Sequence, residues 1–157
     1  MLLTRRVDAL ILGDIHYDGR FADELARRGV PFLLVSRHAG SYPSVTCDDV
    51  LGGRLAAEHL LKLGHRRLAV IAGEPFASTG IDRTAGFLAA FAAAGHAISH
   101  NRVVHSRFDV SGGRAAAEIL LAQPRHPPPF SPSTTSLRLA HWARFGTRVW
   151  SPAATLP

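Results

Sequence analysis

The chain has 157 residues, 46% of them hydrophobic and 19% charged, which suits one medium globular domain or part of a larger one and excludes a disordered chain. Its net charge of +6 and pI near 10.9 suggest nucleic acid at first sight. Four arginines without an acidic neighbour (Arg125, Arg138, Arg144 and Arg148) lie in the last 33 residues, however, and removing them leaves about +2, an ordinary balance. No basic face is grouped on a predicted helix, so the composition gives no DNA-contacting surface. No apolar run has the length of a membrane span, and "MLLTRRVDALILGD" carries Asp8 without a small-residue cleavage site, which argues against a secretory signal. A single Cys47 excludes an intrachain disulfide and fits a reducing cytoplasm.

The short apolar run "VDALIL" (7–12), closed by Gly13, predicts a buried strand. "GRFADELARRG" (19–29) places Phe21, Ala22 and Leu25 at helical spacing and stops at Gly29. "VPFLLVSR" (30–37) predicts a second buried strand, and "SVTCDD" (44–49) an edge strand. "VLGGRLAAEHLLKLG" (50–64) predicts a helix with Leu55, His59 and Leu63 in line and Gly64 beyond its end. "RRLAVIAG" (66–73) is a further strand. A helix is expected over 78–95 with Ser78 or Thr79 as N-cap, a strand over 102–107, and a helix over 111–123 capped by Ser111. Apolar strands alternating with helices imply a parallel sheet covered on both faces, a doubly wound α/β fold.

Regular patterning stops after Gln123. Residues 125–157 are rich in proline, hold both tryptophans, and have no acidic residue. They are expected to be irregular.

The chemistry motifs are mostly missing. There is no G-x-G-x-x-G or Walker loop for nucleotide phosphates, no H-E-x-x-H or other metal-ligand spacing among nine histidines, and no G-x-S-x-G nucleophile elbow. No catalytic residue, metal or cofactor is therefore expected. Gly52-Gly53 at a helix start is most simply a site of close packing.

The stretch "DDVLGGRLAAEHLLKLGHRRLAVIAGEPFASTGIDRTAGF" (48–87) resembles the effector-binding core of the LacI/GalR family of bacterial transcription regulators. The resemblance lies in Asp48-Asp49, Gly53, His59-Leu60, Leu63-Gly64-His65, Arg66-Arg67, the apolar strand to Gly73, and Arg83-Thr84-Ala85-Gly86-Phe87. It extends more weakly over 2–124. The resemblance implies a periplasmic-binding-protein-like type I fold, two α/β lobes with a small ligand between them. Residues 1–64 then belong to the N-terminal lobe, 65–124 begin the C-terminal lobe, and 125–157 form the irregular tail.

Carried over by position, the resemblance implies that Arg83 enters the cleft and donates paired hydrogen bonds to sugar hydroxyls or a carboxylate. Thr79 offers a hydroxyl from the same face, and Asp48 accepts from the ligand or holds the lobe crossover. Phe108 or Arg107 falls near the family's stacking aromatic, in a loop one residue shorter than the family's. Simpler roles are a salt bridge of Arg83 with Asp82 or Glu74, and N-capping by Thr79. Asp49 departs from the family's Asn.

The resemblance further implies a sugar or nucleoside effector and a cytoplasmic homodimer. It implies DNA contact only through an N-terminal helix-turn-helix, which this sequence lacks, so Met1 is expected to be a misassigned or remnant start. The rival readings are a stand-alone or periplasmic sugar-binding protein and a doubly wound enzyme. Read one nucleotide early, codons allowed by residues 129–150 can spell "VLAVNDFAAIGTLGALRDAGL", which matches the family's next strand and helix. The tail is thus expected to be an out-of-frame translation. An unrelated disordered tail is the alternative. A lobe cut short exposes apolar faces, so marginal stability or aggregation is expected.

Overall fold

The computed structural model describes residues 7–123 in full and, beyond them, only the backbone of two short strands. The elements alternate as expected: β1 (Leu10–Leu12), α1 (Arg20–Arg27), β2 (Phe32–Val35), β3 (Ser44–Val45), α2 (Asp49–Lys62), β4 (Leu68–Ala72), α3 (Ser78–Ala93), β5 (Val103–His105) and α4 (Val110–Ala122). They build two sheets, as the two lobes implied by the resemblance require. β1-β2-β3 is parallel throughout, with Leu10 opposite Phe32 and Leu34 opposite Ser44. In the second sheet β4 pairs in parallel with β5, Val70 lying opposite Val103.

The strand β4 is buried at every position, which is why "LAVIA" reads as a continuous apolar run instead of an alternation. Leu68, Val70 and Ala72 face Ala57 and Leu60 of α2 and Phe87 and Phe91 of α3. Ala69 and Ile71 face Ala116 and Leu120 of α4 on the other side. Phe87 and Phe91 stack at 5.1 Å between ring centroids. Burying each of these rings contributes roughly 2–3 kcal/mol. The first sheet is covered on one face only, where Leu12, Phe32 and Leu34 meet Ile15, Ala22 and Ala39. On its other face Ile11 and Val45 are exposed.

Several local expectations are corrected. The buried face of α2 is Gly53, Ala57 and Leu60, whereas Leu55, His59 and Leu63 are exposed. Small residues carry that face because α2 packs tightly on α3. A boundary at residue 64 separates the two sheets, but α2 joins the core of β4 by packing. The N-cap position of α3 is Ala77, not Ser78 or Thr79, and no side chain caps it. The cap of α4 is Asp109, which accepts from the Gly112 amide at 2.6 Å, while Ser111 Oγ donates to the same carboxylate.

That capping makes a pH prediction. The Gly112 amide, then the Ser111 hydroxyl and the Arg107 charge, hold the Asp109 carboxyl below its ordinary value of 3.8. A lowered folded value means the cap stabilises α4 above the ordinary value and is lost as pH falls through the folded one. Protection of the amides at the start of α4, relative to their intrinsic exchange at each pH, is expected to fall as pH drops below the ordinary carboxylate range, and Asp109→Ala should show that lower protection already at neutral pH.

Past Gln123 the expectation of wholly irregular backbone is also modified. β6 (Arg138–His141) adds in parallel to the edge of β4 opposite β5, and β7 (Arg148–Trp150) pairs antiparallel to β6. An unpaired edge on a buried apolar strand is a template for any segment with free backbone groups. The rest of the tail, and with it the out-of-frame reading, lies outside the described residues.

Candidate ligand cleft at the strand ends

In parallel α/β sheets the loops after the strands meet at one end, and ligands bind there. Here the loops after β1 and β2 come against the loop after β4 and the start of α3. The Tyr17 amide donates to the Phe76 carbonyl at 2.7 Å. His16 and Phe76 stack with ring centroids 4.1 Å apart and planes within 8°. The His38 amide donates to Ser78 Oγ at 2.9 Å, and the His38 ring meets Asp82 Oδ2 at 2.7 Å. Ser78, freed from capping, thus ties the first sheet's loop to α3.

Arg37 is turned inward beside this junction. It donates to the Ile15 carbonyl at 3.2 Å and pairs with Asp14 at 3.0 Å. The preceding Ser36 holds φ at +62°, a left-handed conformation that side chains adopt at some cost. It ends β2 by reversing the chain, so that Arg37 is buried beside the loop after β1.

Arg83 occupies the second turn of α3. Its Nε donates to Asp49 Oδ1 at 2.5 Å, with the arginine side chain 34% exposed and the aspartate 6%. The pairing with Asp82 or Glu74 considered from the sequence is therefore replaced. Asp82 is taken by His38, and Asp49 reaches Arg83 because the first two turns of α2 pack across the second and third turns of α3. That crossing depends on two glycines. A Cβ on Gly53 would stand 2.0 Å from the Arg83 carbonyl oxygen, and one on Gly86 would stand 2.1 Å from that of Val50. The close packing of Gly53 is against a helix, not a strand.

Of the other expected site residues, Thr79 is the second residue of α3, half-buried, and its hydroxyl has no recorded partner among the described residues. Asp48 caps α2, accepting from the Leu51 amide at 2.8 Å, which occupies one carboxylate oxygen. The Phe108 ring lies over Gly73 at the end of β4, where an added Cβ would come within 2.5 Å of its Cζ. Gly80 packs on the same glycine, so Phe108 stands beside the start of α3. His105 Nδ1 bonds the Gly73 carbonyl at 2.8 Å and steadies that turn. Sequence spacing missed the pairings of His16, His38, Asp49, Phe76 and Ser78, because each meets a partner from a different element of the chain.

The start of α3 carries hydroxyl and guanidinium donors, Asp49 and Asp82 supply carboxylate acceptors to it, and the Phe108 ring stands beside it, groups of the kind that hold a small polar ligand. Among the described residues no group of His, Cys, Asp and Glu side chains would hold a metal ion, and no helix is long and apolar enough to cross a membrane.

Parallel strands with their loops gathered in this way define an α/β protein of the periplasmic-binding-protein-like type. The family described as periplasmic binding proteins and sugar binding domain of LacI family matches residues 1–136, and the chain belongs to it. It is 34% identical over 126 residues to the HTH-type transcriptional regulator CelR of Thermobifida fusca, covering 76% of this chain and 36% of that protein. To the regulator DegA of Bacillus subtilis it is 32% identical, covering 77% and 37%. Among solved structures, a CelR–cellobiose complex superposes with a TM-score of 0.68 at 33% identity, over 76% of this chain and 38% of that one. A LacI-type regulator from a Rhodococcus species gives 0.66 at 38% identity, over 80% and 47%. The chain thus spans a little over a third of the length of these curated relatives, which are regulators and not enzymes.

Proposed function

We propose that this chain is the effector-recognising part of a cytoplasmic DNA-binding regulator, and that the junction at the strand ends receives a sugar or nucleoside. Arg83, Thr79 and Phe108 are the direct ligand contacts in this reading. Asp48 contributes its second carboxylate oxygen. DNA contact and homodimerisation belong to the intact regulator, in which a ligand that binds one arrangement of the two halves better shifts the population toward it. The observation that carries the reading is the junction of the two sheets' loops at the start of α3, where His38 bonds Ser78 and Asp82 and the next residue, Arg83, is held by Asp49. The cellobiose bound by a relative supports a saccharide. The out-of-frame origin of the tail is part of the same proposal, and the nucleotide sequence of the locus decides it.

A thermal-shift panel of neutral mono- and disaccharides, cellobiose included, and of nucleosides tests the function. One member should raise the melting temperature with the logarithm of its concentration above Kd, by an amount equivalent to about 2.7 kcal/mol at a hundred times Kd. A panel in which every member leaves the melt unmoved contradicts the reading.

A further inference from the structure

We propose that Asp49 sets the charge preference of this cleft, so that it accepts a neutral, hydroxyl-bearing ligand and rejects carboxylates and phosphates. The inference rests on the reading of the strand-end junction as the effector site and adds what that site discriminates against.

Three observations carry it. The first is the Arg83–Asp49 pair: the carboxylate is the buried member and the guanidinium the exposed one. Arg83 therefore presents N–H donors outward while its charge is already matched. The second is that the neighbouring arginine is matched as well, Arg37 by Asp14, while Asp82 is engaged by the His38 ring. The third is the local balance. Residues 13–18, 36–49 and 73–83 hold six carboxylates (Asp14, Asp18, Asp48, Asp49, Glu74 and Asp82) against two arginines, in a chain of net charge +6. The cleft loops are acidic although the chain is basic.

The chemistry follows from what each ligand type can exchange. A sugar hydroxyl accepts from an arginine N–H and donates to a carboxylate, so it uses both kinds of group at once. A carboxylate only accepts, and a phosphate chiefly accepts, and either brings a second negative charge to a guanidinium already paired with Asp49, inside a rim whose carboxylates repel it. Charge decides the selection, and Asp49 is the residue that sets it because its carboxylate pairs with Arg83, the guanidinium among the proposed ligand contacts.

The test uses the full chain and two kinds of probe. Inorganic phosphate, titrated at constant ionic strength and followed by melting temperature, should leave the wild type unmoved. Asp49→Asn should gain phosphate binding of about tenfold or more over wild type, since a freed guanidinium makes charge-assisted bonds. Adding Arg83→Gln should remove that gain. If the asparagine variant does not fold, Asp49→Ser and a comparison of cellobiose with cellobionate on the wild type take its place, with cellobiose the tighter. Phosphate stabilising the wild type as strongly as Asp49→Asn, or cellobionate binding the wild type more tightly than cellobiose, would overturn the assignment. A gain of phosphate binding in Asp49→Asn while no sugar binds the wild type would uphold the charge role and discard the effector reading, so the two failures are distinct.

Discussion

Replacing Gly53 with alanine is expected to cost about 2–3 kcal/mol of folding stability, and replacing Gly86 about as much. The new methyl would lie 2.0 Å from the Arg83 carbonyl oxygen in the first case and 2.1 Å from the Val50 carbonyl oxygen in the second. Both obstacles are helix backbone, so no side chain can swing aside and the helices must part. Parting them opens the packing of Ala57 and Leu60 against Phe87, which is fully buried. The better helix propensity of alanine returns up to about 1 kcal/mol, already included in the net figure. The two losses should not add, because either methyl separates the same crossing. Gly52 provides the control. A Cβ there meets nothing within 4 Å, so Gly52→Ala should stabilise the chain by about 0.5–1 kcal/mol. Urea unfolding of the three variants reads the opposite signs at adjacent positions, and a Gly53 variant as stable as Gly52→Ala would refute the crossing.

Replacing Arg83 with glutamine is expected to weaken effector binding by about 100-fold, the loss of two charge-assisted hydrogen bonds to ligand hydroxyls. It should also lower stability, because Asp49 stays buried without its cation. The pair Arg83→Gln with Asp49→Asn separates the effects. Two amides can bond each other across the crossing, so the double variant should recover most of the stability and none of the affinity. Calorimetric titration beside urea unfolding gives both numbers. Affinity recovered together with stability would reduce Arg83 to a structural strut.

Most of the fold was legible because buried parallel strands announce themselves. "LAVIA" and "FLLV" are apolar at consecutive positions, and Gly29, Gly64 and Gly95 all take positive φ just past their helices. What failed was fine placement. The face of α2 was misjudged because Leu55 and Leu63 are the larger apolar residues, yet a helix pressed this closely on its neighbour buries glycine and alanine instead. Helix caps were misassigned by one or two residues because Asp109 and Ser78 compete with nearby hydroxyls, and Ser78 serves His38. The proposed site was legible only where a single motif held it, as in the Arg83 to Phe87 run. Asp49 as partner of Arg83, and Phe76 as partner of His16, are long-range meetings that no local spacing encodes. The division into two sheets was legible only through the resemblance, which implies two lobes, since pairing of β3 with β2 ends a sheet without leaving a pattern in either strand.

The central claim is that a small hydroxylated molecule sits where the strand ends of the two sheets meet. Backbone-amide chemical shifts, followed while the stabilising member of the saccharide and nucleoside panel is titrated into labelled protein, test it most directly. The largest changes are predicted at Gly73, Thr79, Arg83 and Phe108, with the outer face of α4 around Ile119 silent. Changes gathered on that outer face, or on the open side of the first sheet at Ile11 and Val45, would contradict it.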